Sequence, residues 1–364
     1  MKEKYEDVIM KIAFLGDIGI FPWGLIGTDW KNNLYEIKKK LMEYDLVVAN
    51  LETPITNLNR TIECKGIHLK SDSNVIDILK YLNIKVVNLA NNHICDYGLR
   101  GMQDTIDILE QNNIKYFGIN NKSLKMEVCG ERISFHGFSC FSTNGTRYIN
   151  LKQNRNGVCS LNKKDVETVL FKDLNEDYYS ILSFHWGDEY SNLPNQKQVD
   201  FMHELALKYK FIVHGHHAHV MQGIESVKNN LIAYNLGNFC FDECRSQVNS
   251  KLKIKQTEEN QESYILSVEI MDKQIVTWST EGIKYKNNRI IPNNNNEKIN
   301  YLSNLIKDCD KEWYKEESQK LISKQRCNNC AKHNFKWLIS KMNYYSIGAF
   351  ILSYINDSKY KKSF

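Results

Sequence analysis

The chain has 364 residues, 42% of them hydrophobic and 25% charged, with only 4 Pro. That balance is too apolar and too evenly charged for intrinsic disorder, and the length can bury a substantial core in one large domain with an appendage or in two modest domains. No run reaches the roughly 18–20 apolar residues that a transmembrane helix needs, and the start MKEKYEDVIMKIAFLGD lacks a signal-peptide core and cleavage site, so a cytoplasmic location is expected.

The net charge of +5 is unevenly placed: from Asn293 to Phe364 there are 13 Lys/Arg and 7 Asp/Glu, so this stretch carries +6 and everything before it −1. A near-neutral body without a recognition motif argues against a nucleic-acid partner. Ten Cys, at 64, 95, 129, 140, 159, 240, 244, 309, 327 and 330, show no dense regular spacing, which suits reduced thiols rather than a disulfide framework.

Short β-branched or aromatic runs recur along the chain and read as buried strands. The first is Val8–Leu15 and the second Leu46–Ala49. A helix follows over Asn74–Leu82, with Val75, Ile78, Leu79 and Leu82 on one face. After a strand at Val86–Ala90, Gly101–Gln111 repeats the helical spacing through Met102, Ile106 and Leu109. A strand at Tyr179–Phe184 precedes a helix over Gln196–Tyr209, carrying Val199, Met202, Leu205 and Ala206. Strands Phe211–Val213 and Leu231–Tyr234 come next. A polar connection, Gln256–Glu262, leads to an antiparallel pair at Tyr264–Ile270 and Ile275–Trp278. Strand–helix alternation of this kind predicts an α/β fold around a central sheet. Asn293–Asn296 marks a linker, so the chain divides into a domain over 8–292 and a basic helical tail over 293–364, with helices at Ile299–Ile322 and Phe335–Ile355.

The chemistry lies in the residues at the carboxyl end of each strand. The first run ends in Gly16-Asp17 and the second in Asn50-Leu51-Glu52. The third ends in Asn91-Asn92-His93, with Asp96 and Gly98 behind it. The fourth ends in His185-Trp186-Gly187-Asp188-Glu189-Tyr190, and the fifth in His214-Gly215-His216-His217-Ala218-His219. In an open α/β sheet these strand ends share an edge, where ligand sites form. Singly, Asp17 reads as a turn or helix cap, Asn91-Asn92 as a turn and His185 as a core histidine. Four imidazoles in six residues resist any packing explanation. Carboxylates, imidazoles and an amide oxygen without a thiol suit a divalent first-row cation such as Mn, Fe or Zn. Two such ions about 3.5–4 Å apart would polarise a phosphoryl oxygen and acidify a bound water.

These segments resemble the CapA capsule-synthesis family, also called the poly-γ-glutamate synthesis family, whose domain is related to calcineurin-like metallophosphoesterases. The resemblance runs through Phe14-Leu15-Gly16-Asp17, Val47–Thr56, Leu89–His93 with Asp96-Tyr97-Gly98, His185-Trp186-Gly187, Gly215–Val220, Asn235–Phe239 and Phe241-Asp242, spanning about residues 10 to 245. It implies a four-layered metallophosphoesterase-like αββα sandwich with a small C-terminal helical appendage. It also implies Asp17 on a first metal, Glu52 as bridging carboxylate, and Asn92, His185 and His217 at a second metal, with His219 turning back to the first. His93 would be the general acid, His216 an orienting residue, and Asn238 and Asp242 supports through loop hydrogen bonds. The expected activity is metal-assisted hydrolysis or transfer at a phosphate ester or an acyl-type bond in making an anionic envelope polymer. Its partners would be that polymer or a phosphoester substrate, and synthetase subunits. The alternative is a non-enzymatic accessory or polymer-binding subunit. Three departures stand out: Gly19 where the wider superfamily carries a ligating His, Glu52 in place of a bridging Asp, and Ala218 in place of a Pro.

Two lesser signals remain. Cys327, Cys330 and His333, with Cys309, offer a zinc set, weighed against a plain solvated helix and turn. From Gln319 onward nine Lys/Arg meet one acidic residue, Asp357. Such a basic aromatic tail can lie peripherally on an anionic membrane or simply pack on the domain.

Overall fold

The structure, a computed structural model, describes residues 9–61, 67–140, 149–150, 156–245, 253–308, 310–331, 347–348 and 351. In chain order the main strands begin with β1 (Met10–Gly19), β2 (Leu46–Leu51), β3 (Ile84–Asn88) and β4 (Lys115–Phe117). Next come β5 (Leu124–Val128), β6 (Glu131–Ser139), β7 (Tyr179–His185) and β8 (Phe211–His216). They end with β9 (Ile224–Val227), β10 (Asn230–Ala233), β11 (Asn238–Phe241), β12 (Glu262–Met271), β13 (Gln274–Lys286) and β14 (Arg289–Pro292). The main helices are α1 (Tyr35–Leu41), α2 (Val75–Tyr81), α3 (Gly98–Gln111), α4 (Lys163–Asn175), α5 (Gln196–Ala206), α6 (Asn296–Asp308) and α7 (Lys311–Ala331).

Two sheets stack face to face. The first has eight strands in the order β14-β13-β12-β1-β2-β3-β4, with β11 also pairing β1, and the second has six in the order β9-β10-β8-β7-β6-β5. The centres of both are parallel, β1 with β2 and β3, and β8 with β7 and β10, while hairpin strands form the antiparallel edges.

Period-two alternation builds the layers. Phe14, Val48, Val86, Phe135, Ile181 and Ile212 point into the space between the sheets and are fully buried. Their neighbours Ala13, Leu15, Val47 and Ala49 face outward under α1–α3, which contribute Ile37, Leu79, Met102 and Leu109. On the other side, Leu182, Phe184 and Val213 lie under Val166 and Leu170 of α4 and Val199 and Met202 of α5. The result is the expected four-layered αββα sandwich.

Two local readings change. β1 continues through Gly19, so Asp17 lies inside a strand rather than in a turn after one. The Asn293–Asn296 stretch, expected as a linker, is tied down: Asn295 is buried and its amide donates to the carbonyls of Ser263 and Ile283. The helix that follows packs on the body, with Ile299 in the core between the sheets and Leu302 and Ile306 in the outer layer. Asp310 interrupts the single helix expected over Ile299–Ile322, and its carboxylate caps α7 by accepting from the Glu312 and Trp313 amides. Cys64, Cys309, His333, the helix expected over Phe335–Ile355 and the side chains of Cys327 and Cys330 lie outside the described residues, apart from Ile347, Gly348 and Ile351. Among the described residues no helix is long and apolar enough to cross a membrane.

A packed α6 makes Ile299, 2% exposed, and Tyr301, 62% exposed, respond differently to truncation. Urea denaturation is expected to show a loss of about 2–4 kcal/mol for Ile299→Ala and a change within about 0.5 kcal/mol for Tyr301→Ala. Equal, small effects would return α6 to a loosely tethered tail.

Candidate metal centre

Strand register brings the polar residues together. Asp17 of β1 sits opposite Asn50 of β2, which sits opposite Asn88 of β3, and on its other side Asp17 faces Asn238 of β11. In the second sheet His185 and His216 end β7 and β8 as register partners. All of these residues are 0–1% exposed. Gly16 allows the close approach that this arrangement needs, since a Cβ there would lie 1.9 Å from the Gly237 carbonyl oxygen.

Asp17 is the hub. Asn50 Nδ2 donates to its Oδ1 at 2.9 Å, and His216 Nδ1 donates to the same oxygen at 2.8 Å. The His217 backbone N–H donates to Oδ2 at 3.3 Å, and His219 Nδ1 lies 3.6 Å from that oxygen. Burial by itself would raise the carboxyl's pKa, but the hydrogen bond and charge of His216, then His219 and Asn50, hold it at about 2. Glu52, also buried, has its Oε1 3.5 Å from His219 Nε2 and 4.0 Å from His185 Nε2. Asn92 Oδ1 and His217 Nδ1 both lie close to His185 Nε2, at 3.0 and 3.1 Å. Burial, then the neighbouring His217, His216, His219 and His93, push His185 well below the ordinary imidazole range. Its ring is therefore held in the neutral form.

Asp17, Glu52 and His185 each present a donor atom within 4.8 Å of the others. That spacing, together with the nitrogen and oxygen character of the set, fits a small divalent cation. Buried His216 Nε2 has no hydrogen-bond partner among the described residues, which also marks the cluster as a polar set built for more than packing.

The turn after β8 is strained. His217 and His219 have φ of +94° and +56°, and Tyr190, whose N–H donates to the Ala218 carbonyl, has +61°. Left-handed backbone at non-glycine residues is uncommon and concentrates at functional sites.

His93 stands at a cleft of about 280 Å³ that is also lined by Asn92, His219, Glu189 and Tyr190. Its Nδ1 donates to Asp96 Oδ2 at 2.7 Å, which places the proton of the neutral ring on Nδ1. Asn91 pins this turn by accepting from the His93 and Ile94 amides and donating to the Leu51 carbonyl.

The structure thus gathers Asp17, Glu52, Asn92, His185, His217 and His219, with His216 against Asp17 and Asn238 Oδ1 accepting from His219 Nδ1 at 2.9 Å. Asp242 stands further out. It accepts from the Phe21 and Leu25 amides and from the Tyr285 hydroxyl, so it holds the segment after β1 rather than the ligands themselves. His214, part of the histidine-rich run, is absorbed by structure: its Nε2 donates to the Leu15 carbonyl at 2.7 Å. Asn50 and Asp96 stand in the strand-end clusters without an assigned role, and Asn88 lies inside the third apolar run. Their signal was their place at the same strand ends as the assigned residues.

The Gly19 departure has a physical basis. A Cβ at this position would lie 2.7 Å from the Phe241 ring, and that ring also stands edge-on to His219 at 5.2 Å. Phe241 therefore fills the space that a longer side chain at 19 would need.

The fold and the clustered nitrogen and oxygen donors define a sandwich protein with a candidate metal centre at the strand ends. The chain matches the family described as "Bacterial capsule synthesis protein PGA_cap" over residues 7–243, and it belongs to that family. Among its relatives, the PGA biosynthesis protein CapA of Bacillus subtilis is 30% identical over 250 residues, covering 66% of this chain and 65% of that protein. The capsule biosynthesis protein CapA of Bacillus anthracis is 32% identical, covering 60% of this chain and 55% of that one. A probable polyglutamine synthesis accessory protein of Mycobacterium tuberculosis is 27% identical over 54% of this chain and 56% of its own length. The chain thus spans less than two thirds of each relative's length.

Gly19→Ala is expected to cost about 1–3 kcal/mol by overpacking against Phe241. In a Phe241→Leu background the same substitution should cost clearly less, which a double-mutant cycle of thermal denaturation measures directly. Equal costs in the two backgrounds would show that Phe241 does not set this departure.

Proposed function

We propose that the chain holds one or two divalent cations, Mn, Fe or Zn, between Asp17, Glu52, Asn92, His185, His217 and His219, and hydrolyses a phosphate ester or a related acyl-type bond in the making of an anionic envelope polymer of the poly-γ-glutamate kind. The observation that carries the reading is the convergence of the Asp17, Glu52 and His185 donor atoms within 4.8 Å at one edge of both sheets. A bound divalent ion would supply Lewis acidity toward the substrate oxygen and acidify a water.

The chain's own residues supply the rest. Asp17 arrives ionised and oriented by Asn50 and His216, and His185 arrives neutral. Asn238 fixes the His219 ring by accepting from its Nδ1, which leaves Nε2 on the Glu52 side. His93, held through Nδ1 by Asp96, would in its doubly protonated form donate from Nε2 at the cleft to a leaving oxygen. The relatives' names support a place in polymer synthesis, and with it association with synthetase subunits.

A second reading, an accessory subunit without turnover, is favoured by Phe241 filling the space beside Gly19, which leaves the first cation one ligand short.

Elemental analysis of protein reconstituted with Mn, Fe or Zn after chelation is expected to find one or two ions per chain, lost in Asp17→Asn and His185→Ala. His93→Ala should keep the metal and lose roughly 10²–10⁴-fold in turnover of bis(p-nitrophenyl) phosphate. Unchanged turnover in a metal-loaded His93→Ala protein would remove His93 from the acid role, and no turnover by the metal-loaded wild type would favour the accessory reading. Absence of bound metal under all three ions would overturn the metal reading.

A further inference from the structure

A second cleft lies elsewhere in the fold. A cavity of about 700 Å³ opens between α4 and the outer face of the second sheet, lined by Ser123, His136, Asp173, Phe138, Val169 and Asn121 among others. Alternation along β6 explains its polar floor. Ile133 and Phe135 point into the core between the sheets, so Ser134, His136 and Phe138 point out toward α4.

There the side chains form a directed relay. Asp173 of α4 is buried, and its Oδ2 accepts from the Ser134 hydroxyl, from the Ser180 hydroxyl at 2.8 Å and from His136 Nε2 at 2.6 Å. Lys125 Nζ lies 3.6 Å from the other carboxylate oxygen. Burial alone would raise the Asp173 pKa, but His136 and the two serines bring it below the usual carboxylate range. An ionised carboxylate only accepts, so the proton of a neutral His136 sits on Nε2 and its lone pair on Nδ1. That lone pair faces Ser123 Oγ at 2.8 Å. Ser123 itself is half-buried at the cleft wall, just after a turn in which Asn120 and Asn121 take φ of +52° and +55°. A hydroxyl, a base with its lone pair toward that hydroxyl, and a buried carboxylate fixing the base are the three parts of an activated serine nucleophile.

We propose that Ser123, His136 and Asp173 form a second, metal-independent site that takes acyl groups from carboxylic esters or amides. In the step itself, Ser123 Oγ forms a bond to the acyl carbon while its proton passes to His136 Nδ1. The carbon–oxygen or carbon–nitrogen bond to the leaving group then breaks, and the leaving group departs with that proton. Water repeats the sequence in reverse roles, giving the carboxylic acid and restoring the serine. Asp173 is a positioning residue: it holds the imidazole tautomer. Purely structural packing accounts for Asp173, Ser134 and Ser180 as a tie between α4 and the sheet. It leaves unexplained why the relay continues outward to a hydroxyl in the cleft.

The test is covalent labelling of the full chain with a fluorophosphonate, which transfers its phosphonyl group to Oγ with loss of fluoride and the serine proton. The expected result is one adduct per chain on the Ser123 peptide by mass spectrometry, absent after heat denaturation and absent in Ser123→Ala. His136→Gln should label at least about 10²-fold more slowly. Chelator-treated protein should label like untreated protein, so a failure of the metal reading leaves this result untouched, and the reverse also holds. Nitrogen-15 spectra should place the His136 proton on Nε2 in the wild type and distribute it between both nitrogens in Asp173→Asn. No adduct above the Ser123→Ala background, an adduct on another serine, or a proton on Nδ1 in the wild type would each overturn the proposal.

Discussion

The candidate metal centre depends on the Asp17 carboxylate, at which polar side chains of the two sheets meet. Asn88 Nδ2 donates to Asn50 Oδ1 at 3.0 Å, Asn50 donates to Asp17 Oδ1, and His216 of the opposite sheet donates to the same oxygen. Four fully buried side chains thus form one hydrogen-bonded line across strands β3, β2, β1 and β8. Leaving such a carboxylate unpaired would cost several kcal/mol, and pairing it turns that cost into a condition on register. A one-residue slip of β2 against β1 would turn Asn50 to the other face and leave the charge unsatisfied. The interaction that readies the centre is therefore also the one that aligns the sheets. His216 stands beside His185 in β8–β7 register, so the same condition fixes the imidazole that closes the centre from the other side.

The strand-end residues were legible in the sequence because each comes directly after a short apolar run, and topology then brings such ends to a common edge. Asp17, Glu52, Asn92, His185, His217 and His219 meet for that reason. Asp242 shows the limit of that rule. It comes after β11 as the others come after their strands, yet its carboxylate turns to Phe21, Leu25 and Tyr285, a choice set by tertiary packing that no local pattern encodes. The Asn293–Asn296 run is likewise placed by tertiary packing. A run of four Asn looks like loop composition, but Asn295 donates its amide to two strand carbonyls and so acts as a docking point. Ser123, His136 and Asp173 were invisible for a different reason. They are spread over 51 positions, on a loop, a strand and a helix, and their alternation is with core residues rather than with each other.

Gly19 and the turn at His217–His219 are two sides of one local compromise. A side chain at 19 is excluded by the Phe241 ring, which instead packs edge-on to His219. His219 is in turn held in a left-handed conformation, with Asn238 on its Nδ1 and Asp17 and Glu52 beyond. Without a ring at 19 to share the load, the geometry around Asp17 rests on the histidine turn. Small Ala218, fully buried between two left-handed residues, leaves that turn to be fixed by its hydrogen bonds alone, including the one from Tyr190 to the Ala218 carbonyl. Strain of about 1–3 kcal/mol per residue persists only where surrounding contacts over-determine it. Here those contacts are the Asn238 amide oxygen, the Phe241 ring and the backbone of Tyr190.

β7 ties the two halves of this chemistry together. Its last residue, His185, enters the candidate metal centre, while Ser180 near its start donates to Asp173 of α4. Both are set by one rigid, fully buried strand, flanked by β6 and β8 in unbroken parallel register. A displacement of β7 along its axis would therefore disturb His185 and the Asp173 network at the same time. A buried carboxylate that accepts from two serines and a histidine is costly to assemble, and an apolar filling of the same space would serve packing at least as well. Retaining Asp173 there, with its histidine turned toward a hydroxyl at the wall of a 700 Å³ cleft, is an arrangement that packing does not require and that chemistry can use.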